Sequence, residues 1–531
     1  MNKILKKSAC FLIAVIMMTT FVSVASFAQK PEEESITQNE EILQGEESAQ
    51  NEDVENQTES DEQDTTQIEP KVDGRRFVQT DGVSDCYTYS KIKGGTNVVA
   101  SPDAYVPYYV VDSKSLGTEL LNPSHITTHN NKIYIVNTGK NNIIITDEKF
   151  SVIKVLSGFD NNGTGDTFAS PLGCFVDNDE NIYIADTENH RIVILNRDYA
   201  LVKIIDTPKS DVLTSDFVFK PQKIVVDSSD RIFVVADGVY EGIMQFYGDG
   251  NFIGFVGSIP VTASPIEILW KKILSKEQTS KLSQFVPVSY TNIFLDSEEF
   301  MYTVSLSTTL SEPIRRLNPG GADVLIRNSL AGTDVSGDQI GKDSQFVAVC
   351  ADENNAYYAA DSVRSRIFIY DEDGNLLCVM GGSYAGQIGT YKYISSLTLF
   401  QQDLLVVDSQ ASLITALYPT EYMKSVNRGL DTYRTGLYDE SYECWKETLK
   451  YNSNFDLAYS KIGMIEIRKK NYKQAMEYFK LANDQKNYSK AYIKFRGEWY
   501  TENLSYVITA VLVVVLAIVG FKIYRKKRVK K

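Results

Sequence analysis

Three features of the 531-residue sequence predict a mainly β chain: a six-bladed β-propeller, then α-helical hairpins, then one transmembrane helix. Six segments share one strand–turn–strand pattern at a spacing near 50 residues. The grammar changes to helical spacing after Thr420, and a charge-free apolar run lies near the C-terminus. This length suggests two or three domains, and 43% hydrophobic residues are enough to pack them.

At the N-terminal end, Lys3, Lys6 and Lys7 precede an apolar run from Ala9 to Phe27 that ends in Ser26-Phe27-Ala28. A charged start, an apolar stretch and a small-x-small site predict a signal peptide over 1–28. Residues 29–75 predict an acidic disordered linker. The stretch 29–73 holds 16 Asp/Glu against Lys30 and Lys71, a charge of −14 out of the net −15, so the rest of the chain is close to neutral. With no aromatic residue it cannot bury enough apolar area to fold, and it reads as a solvated spacer. Binding of calcium or of a cationic polymer is the sharper alternative.

The repeats align on their second strand at Ile133, Ile182, Ile232, Met301, Ala356 and Leu404, in steps of 49, 50, 69, 55 and 48. One such unit is a small twisted sheet that cannot bury its faces alone, so six stack into a ring over 76–420. The 69-residue step carries helical spacing in Ile266–Leu274 and Glu277–Phe285, which predicts a helical insertion at about 258–286, either a lid or docking element or a covering loop.

The second repeat, with Pro171-Leu-Gly-Cys-Phe-Val-Asp177, Ile182-Tyr-Ile-Ala-Asp186 and Asn189-His-Arg-Ile-Val193, resembles an NHL repeat almost residue for residue. Ala360-Asp361 with Arg366–Ile369, and Asn137–Ile143, keep parts of the same pattern, whereas repeats three, four and six are degenerate. The resemblance spans roughly residues 120–420. It implies a propeller in which an N-terminal strand, here Tyr105–Val111, completes the last blade.

After Thr420, Gly429, Gly463 and Gly497 recur every 34 residues. Tyr459, Ile462, Gly463, Ala475, Phe479 and Ala482, with Ser441 and Trp445 one unit earlier, resemble the small and large positions of a tetratricopeptide (TPR) repeat. Small residues let two helices approach while the aromatics fill the gap. TPR-like helices are expected over 421–503, the third unit being a single helix from Tyr488 to about Asn503. Because two repeats make a marginal solenoid, the unit is expected to lean on the propeller or on a partner. Residues 504–524 predict a transmembrane helix. The tail 525–531 has six basic residues in seven and is expected to be cytoplasmic, giving a single-pass membrane protein with its bulk extracellular.

Catalytic patterns are absent from the sequence: there is no Gly-x-Ser-x-Gly, Walker loop or GxGxxG. Cys86, Cys174, Cys350, Cys378 and Cys444 form no CxxC pair, which argues against a zinc site or a disulfide framework. His190 fills a repeat position, and His125 and His129 lie on a strand where they would not converge on a metal. Asn161–Asp166 resembles a calcium loop in composition alone. The repeat-end carboxylates Asp177, Asp227, Asp296 and Asp352 are better suited to capping turns than to catalysis. No catalytic, cofactor-binding or metal residue is therefore assigned, a divalent metal such as calcium being the one open alternative. The dense basic tail suits topology and anionic lipid, and no nucleic-acid partner is expected.

Two interaction folds in tandem point to a non-catalytic extracytoplasmic binding or scaffolding protein, anchored in the cell membrane, whose propeller and TPR surfaces take a protein partner or an envelope carbohydrate. Proteins of this look belong to the surface of Gram-positive bacteria. The alternative implied by the propeller resemblance is a tethered, metal-dependent hydrolase or lyase of the lactonase-like type, with acidic or amide side chains converging in the channel.

Overall fold

Each repeat holds strands rich in Ile, Val, Tyr and Phe whose two faces are both apolar, so each needs a neighbour on either side. In the computed structural model, which describes residues 73–78, 86–92, 95–214, 216–259, 288–306, 312–333, 335–339, 344–384 and 386–528, that requirement is met by a ring of six antiparallel blades. The expected signal peptide, nearly all of the acidic linker, the insertion beyond Ile259 and the last three tail residues lie outside the described residues.

Blade 1 runs from Pro123–His129 to Val152–Leu156, blade 2 from Gly173–Val176 to Leu201–Ile205 and blade 3 from Pro221–Val226 to Phe252–Val256. Blade 4 has three strands, Tyr290–Leu295, Met301–Ser305 and Ile314–Leu317. Blade 5, from Phe346–Ala351 to Leu376–Gly381, is widened by the hairpin Tyr87–Ile92 and Gly95–Ala100. Blade 6 holds Ile394–Phe400, Asp403–Asp408 and Leu413–Pro419, and Tyr105–Val111 supplies its fourth strand through pairs such as Thr415 with Val110. The innermost strands touch all the way round, blade 6 meeting blade 1. An early strand is thus locked to a late one, and the ring closes without a free seam.

Five of the apolar clusters belong to the propeller alone, each filling the gap between two neighbouring blades. The sixth, between blades 5 and 6, differs. There Val347, Cys350, Tyr358, Leu404 and Val406 join Tyr422, Met423, Val426, Trp445, Ala458 and Ile462 from the helices that follow in one continuous core.

Those helices are α1 (Glu421–Arg434), α2 (Tyr438–Tyr451), α3 (Asp456–Arg468), α4 (Tyr472–Leu481) and α5 (Gln485–Arg528). Thr420 starts the unit: its hydroxyl accepts from the Met423 amide at the head of α1 and donates to the Asp103 carbonyl beside the closing strand, at 2.7 Å. In the first hairpin a Cβ on Gly429 would stand 2.9 Å from the Trp445 ring, and in the second a Cβ on Gly463 would stand 2.8 Å from Phe479, so both helix pairs pack through the missing side chain. The Ser441 hydroxyl donates to the Gly429 carbonyl at 2.8 Å and adds a polar tie.

α5 is one uninterrupted helix of 44 residues, about 66 Å long at 1.5 Å per residue, in which the helix expected from Tyr488 to about Asn503 runs directly into the apolar run. Nothing between Tyr488 and Tyr524 breaks the ladder: the stretch has no proline, and its two glycines fall within a run of good helix formers. Among the described residues it is the one helix long and apolar enough to cross a membrane, and none of its most apolar stretch is buried. The five described cysteines are buried, and none of them is in a disulfide.

Candidate functional site

The repeat-end carboxylates are turn caps. Asp177 Oδ1 accepts from the Asp179 and Asn181 amides, and Asp227, Asp296 and Asp352 accept from the amides two and four residues on in the same way. The residue between those amides, Glu180, Asp230, Glu299 or Asn355, has positive φ, which the carboxylate holds in place. Burial raises Asp352 to about 6. Asp186, Asp361 and Asp408, almost fully buried at the end of the second strand, pin the incoming loop: Asp186 accepts from the Ala169 amide, Asp361 from Gln345 and Asp408 from Lys392. The carboxylates that looked available for chemistry are spent on backbone.

The calcium-like loop is a hairpin, Gly158–Asn161 against Thr164–Thr167. Its Asp166 pairs with both ends of the Arg191 guanidinium at 2.8 Å, which holds the carboxyl down at about 2. Among the described residues no three His, Cys, Asp or Glu side chains gather as a metal would require. His190 is a left-handed residue closing a short turn, with Nδ1 3.2 Å from the Phe219 carbonyl. His125 and His129 share a strand face four residues apart, about 13 Å along the strand, too far for one ion.

His125 has a different partner. Lys223, on the innermost strand of blade 3, reaches to blades 1 and 2 and donates to the Ser124 carbonyl (3.1 Å) and the Leu172 carbonyl (2.7 Å), with Nζ 3.2 Å from His125 Nδ1. Burial pushes the Lys223 ammonium down to about 7 and the Cys174 thiol up to about 12. Burial and the neighbouring Lys223 charge hold His125 well below its ordinary value. The group is a pin holding three blades together.

A large concavity lies elsewhere among the described residues, between the propeller and the helices. It is a cleft of about 1130 Å³ whose propeller wall is the added hairpin (Lys91, Gly95), the loop after blade 4 (Asn328–Gly332) and the outer turn of blade 5 (Asp373, Asn375). Its other wall is α3, the end of α4 and the first turns of α5. Lys461 of α3, 5% exposed, reaches across to Asp373 (3.1 Å) and to the buried Asp371 (3.8 Å) and holds the walls together. Arg434 donates to Asn354 and Lys486 to Asn328 across the same boundary. The cleft escaped the sequence reading because its residues come from positions 91 to 490. One signal was present: residues 469–496 carry eight Lys/Arg against Glu477 and Asp484.

Fold and site together define a six-bladed β-propeller protein with a fused helical unit, a cleft between the two and an apolar helix able to span a membrane. The NHL repeat matches residues 168–195, the first three strands of blade 2 and their approach. The curated proteins contain no match to the chain. Among solved structures, a catalytically inactive variant of virginiamycin B lyase from Staphylococcus aureus is 12% identical with a TM-score of 0.38, covering 65% of this chain and 98% of that one. A Bacteroides thetaiotaomicron protein of unknown function is 13% identical with a TM-score of 0.39, over 63% and 75%. A gluconolactonase-like protein is 8% identical with a TM-score of 0.38, over 60% and 94%. The architecture rests on the closed ring itself, and no residue or activity is carried over from these likenesses.

Proposed function

We propose that the protein is a non-catalytic binding protein of the cell surface. In this reading 1–28 is removed on export, 29–75 is a spacer, 76–420 and 421–503 form an extracellular binding body, 504–524 crosses the membrane and 525–531 stays in the cytoplasm. The helical hairpins are TPR-like units given over to docking on the propeller, since their inward faces are buried in its core. Orientation is supported by charge: Lys522, Arg525, Lys526, Lys527 and Arg528 lie at the C-terminal end of the span and beyond it, whereas Glu498 and Glu502 precede it with no basic residue after Arg496.

The observation that carries the reading is the cleft. It is a cleft of about 1130 Å³ lined by lysine, amide, hydroxyl, carboxylate and apolar side chains, and its Ser460 hydroxyl donates to Asp484, a carboxylate that also accepts from the Asn487 amide at the start of α5. The test uses full-length protein in a mild neutral detergent, offered soluble envelope glycans and cross-linked to its neighbours in intact membranes. Saturable binding of a glycan, or one stoichiometric protein partner, with no turnover of lactones or glycosidic linkages, is the expected result. Turnover abolished by a chelator would overturn the reading.

A further inference from the structure

We infer that the cleft takes a phosphorylated, hydroxyl-rich ligand, a sugar or polyol phosphate chain, close above the membrane. This rests on the binding reading and names its ligand chemistry.

Four exposed lysines, Lys91, Lys480, Lys486 and Lys490, face the cleft from both walls. Lys486 meets only the neutral Asn328 amide oxygen (3.3 Å) and Lys490 the Asn487 oxygen (3.1 Å), while Lys480 has an exposed ion pair with Glu477 at 3.5 Å. The two carboxylates in the walls are already committed. Asp373 neutralises Lys461, and Asp484 accepts from the Ser460 hydroxyl and from the Asn487 amide and side chain. Lys486 and Lys490 thus rest on neutral amide oxygens, and Asp484 keeps its negative charge beside them. α5 begins in the cleft, where Asp484 caps its first turn by accepting from the Asn487 amide. Between the lysines stand neutral groups suited to hydroxyls, among them Ser329 and Asn483. A volume of about 1130 Å³ exceeds a single phosphate by far and holds several linked units.

Position adds to the argument. Trp499 and Tyr500, both exposed and packed edge to face, stand just before the apolar run, where aromatic side chains sit at a membrane surface. Lys486 and Lys490 lie nine to thirteen residues earlier on the same unbroken helix, about 14–20 Å higher. A cleft enclosed by two walls suits a chain entering from the side better than the flat surface of a bilayer.

The test is titration calorimetry of the full-length protein in neutral detergent with an oligomer of glycerol phosphate, with a neutral oligosaccharide of similar length, inorganic phosphate and phosphatidylglycerol vesicles as separate arms. The expected result is binding of the oligomer alone. It should weaken about tenfold in Lys486→Ala/Lys490→Ala and again with Lys91→Ala, and fall as salt rises. These side chains are exposed, and unchanged circular dichroism confirms that the variants fold. Equal binding of the neutral oligosaccharide, indifference to the lysine substitutions, inorganic phosphate binding as tightly as the oligomer, or binding confined to vesicles each overturns the inference. If the oligomer fails but a neutral glycan or a protein partner binds, this inference falls and the binding function stands. Chelator-sensitive turnover removes the binding function instead.

Discussion

Lys461→Ala tests whether the helices and the propeller are one folding unit. The ammonium lies 3.1 Å from Asp373 and 3.8 Å from Asp371, and the side chains of Lys461 and Asp371 are 5% and 1% exposed. Asp371 keeps its other partners in the variant: Oδ1 accepts from the Asp373 and Asn375 amides and Oδ2 from the Asn375 side chain. What disappears is the nearest positive charge, against which burial already raises the Asp371 carboxyl. Removing one member of a buried pair costs about 3–5 kcal/mol, and the surviving hydrogen bonds place this case at the lower end, about 3 kcal/mol. Lys461→Met should lose a similar amount, because the hydrogen bonds to Asp371 stay and the charge partner goes. The assay is urea unfolding of the full-length protein in neutral detergent. Trp445 fluorescence follows the helices and far-ultraviolet dichroism follows the sheets, and both should shift together because Trp445 belongs to the core shared with blades 5 and 6. A loss below about 0.5 kcal/mol, or helices that melt while the sheets do not respond, would refute the reasoning.

Three further outcomes are expected. Gly429→Ala and Gly463→Ala place a methyl 2.9 and 2.8 Å from buried rings and should each cost about 1–3 kcal/mol in thermal melts, whereas Gly497→Ala, with nothing within 4 Å, should be neutral or stabilising by up to about 1 kcal/mol. Lys223 has a folded pKa of about 7 against an ordinary 10.5, so between those values the unfolded chain binds the extra proton and stability rises with pH. Between pH 7 and pH 9 the stability of the protein relative to Lys223→Met should rise by about 2–3 kcal/mol, the comparison cancelling the opposing titration of buried thiols such as Cys174 in the unfolded chain. Asp177→Ala deprives its turn of the acceptor for the Asp179 and Asn181 amides and should cost about 1–2 kcal/mol, with ligand binding and metal content unchanged by calorimetry and elemental analysis.

The repeats, their number and the apolar run were legible in the chain because each depends on neighbours a few residues away. Short apolar runs, a turn every ten or so residues and an unbroken charge-free stretch need no distant partner to be read. The glycine–aromatic pairs Gly429–Trp445 and Gly463–Phe479 were legible for the same reason, since each lies within one hairpin. Degenerate repeats still became blades: a blade needs two apolar faces and a turn, not a motif. The role of Asp177 and its equivalents was half visible, because a carboxylate at a turn fits capping and chemistry alike until its donors are seen.

The sequence by itself therefore determined a propeller of repeated sheets, helical hairpins and a helix apolar enough for a membrane. The tertiary structure decided the rest. It set Lys223 of blade 3 against His125 of blade 1 and merged Tyr422, Met423 and Ile462 with Val347 and Leu404 in one core. It also brought Lys91 to the same cleft as Lys490. Contacts of that kind join residues far apart in sequence and leave no period in the chain, because ring closure and the docking of one unit on another select them, not local backbone preference.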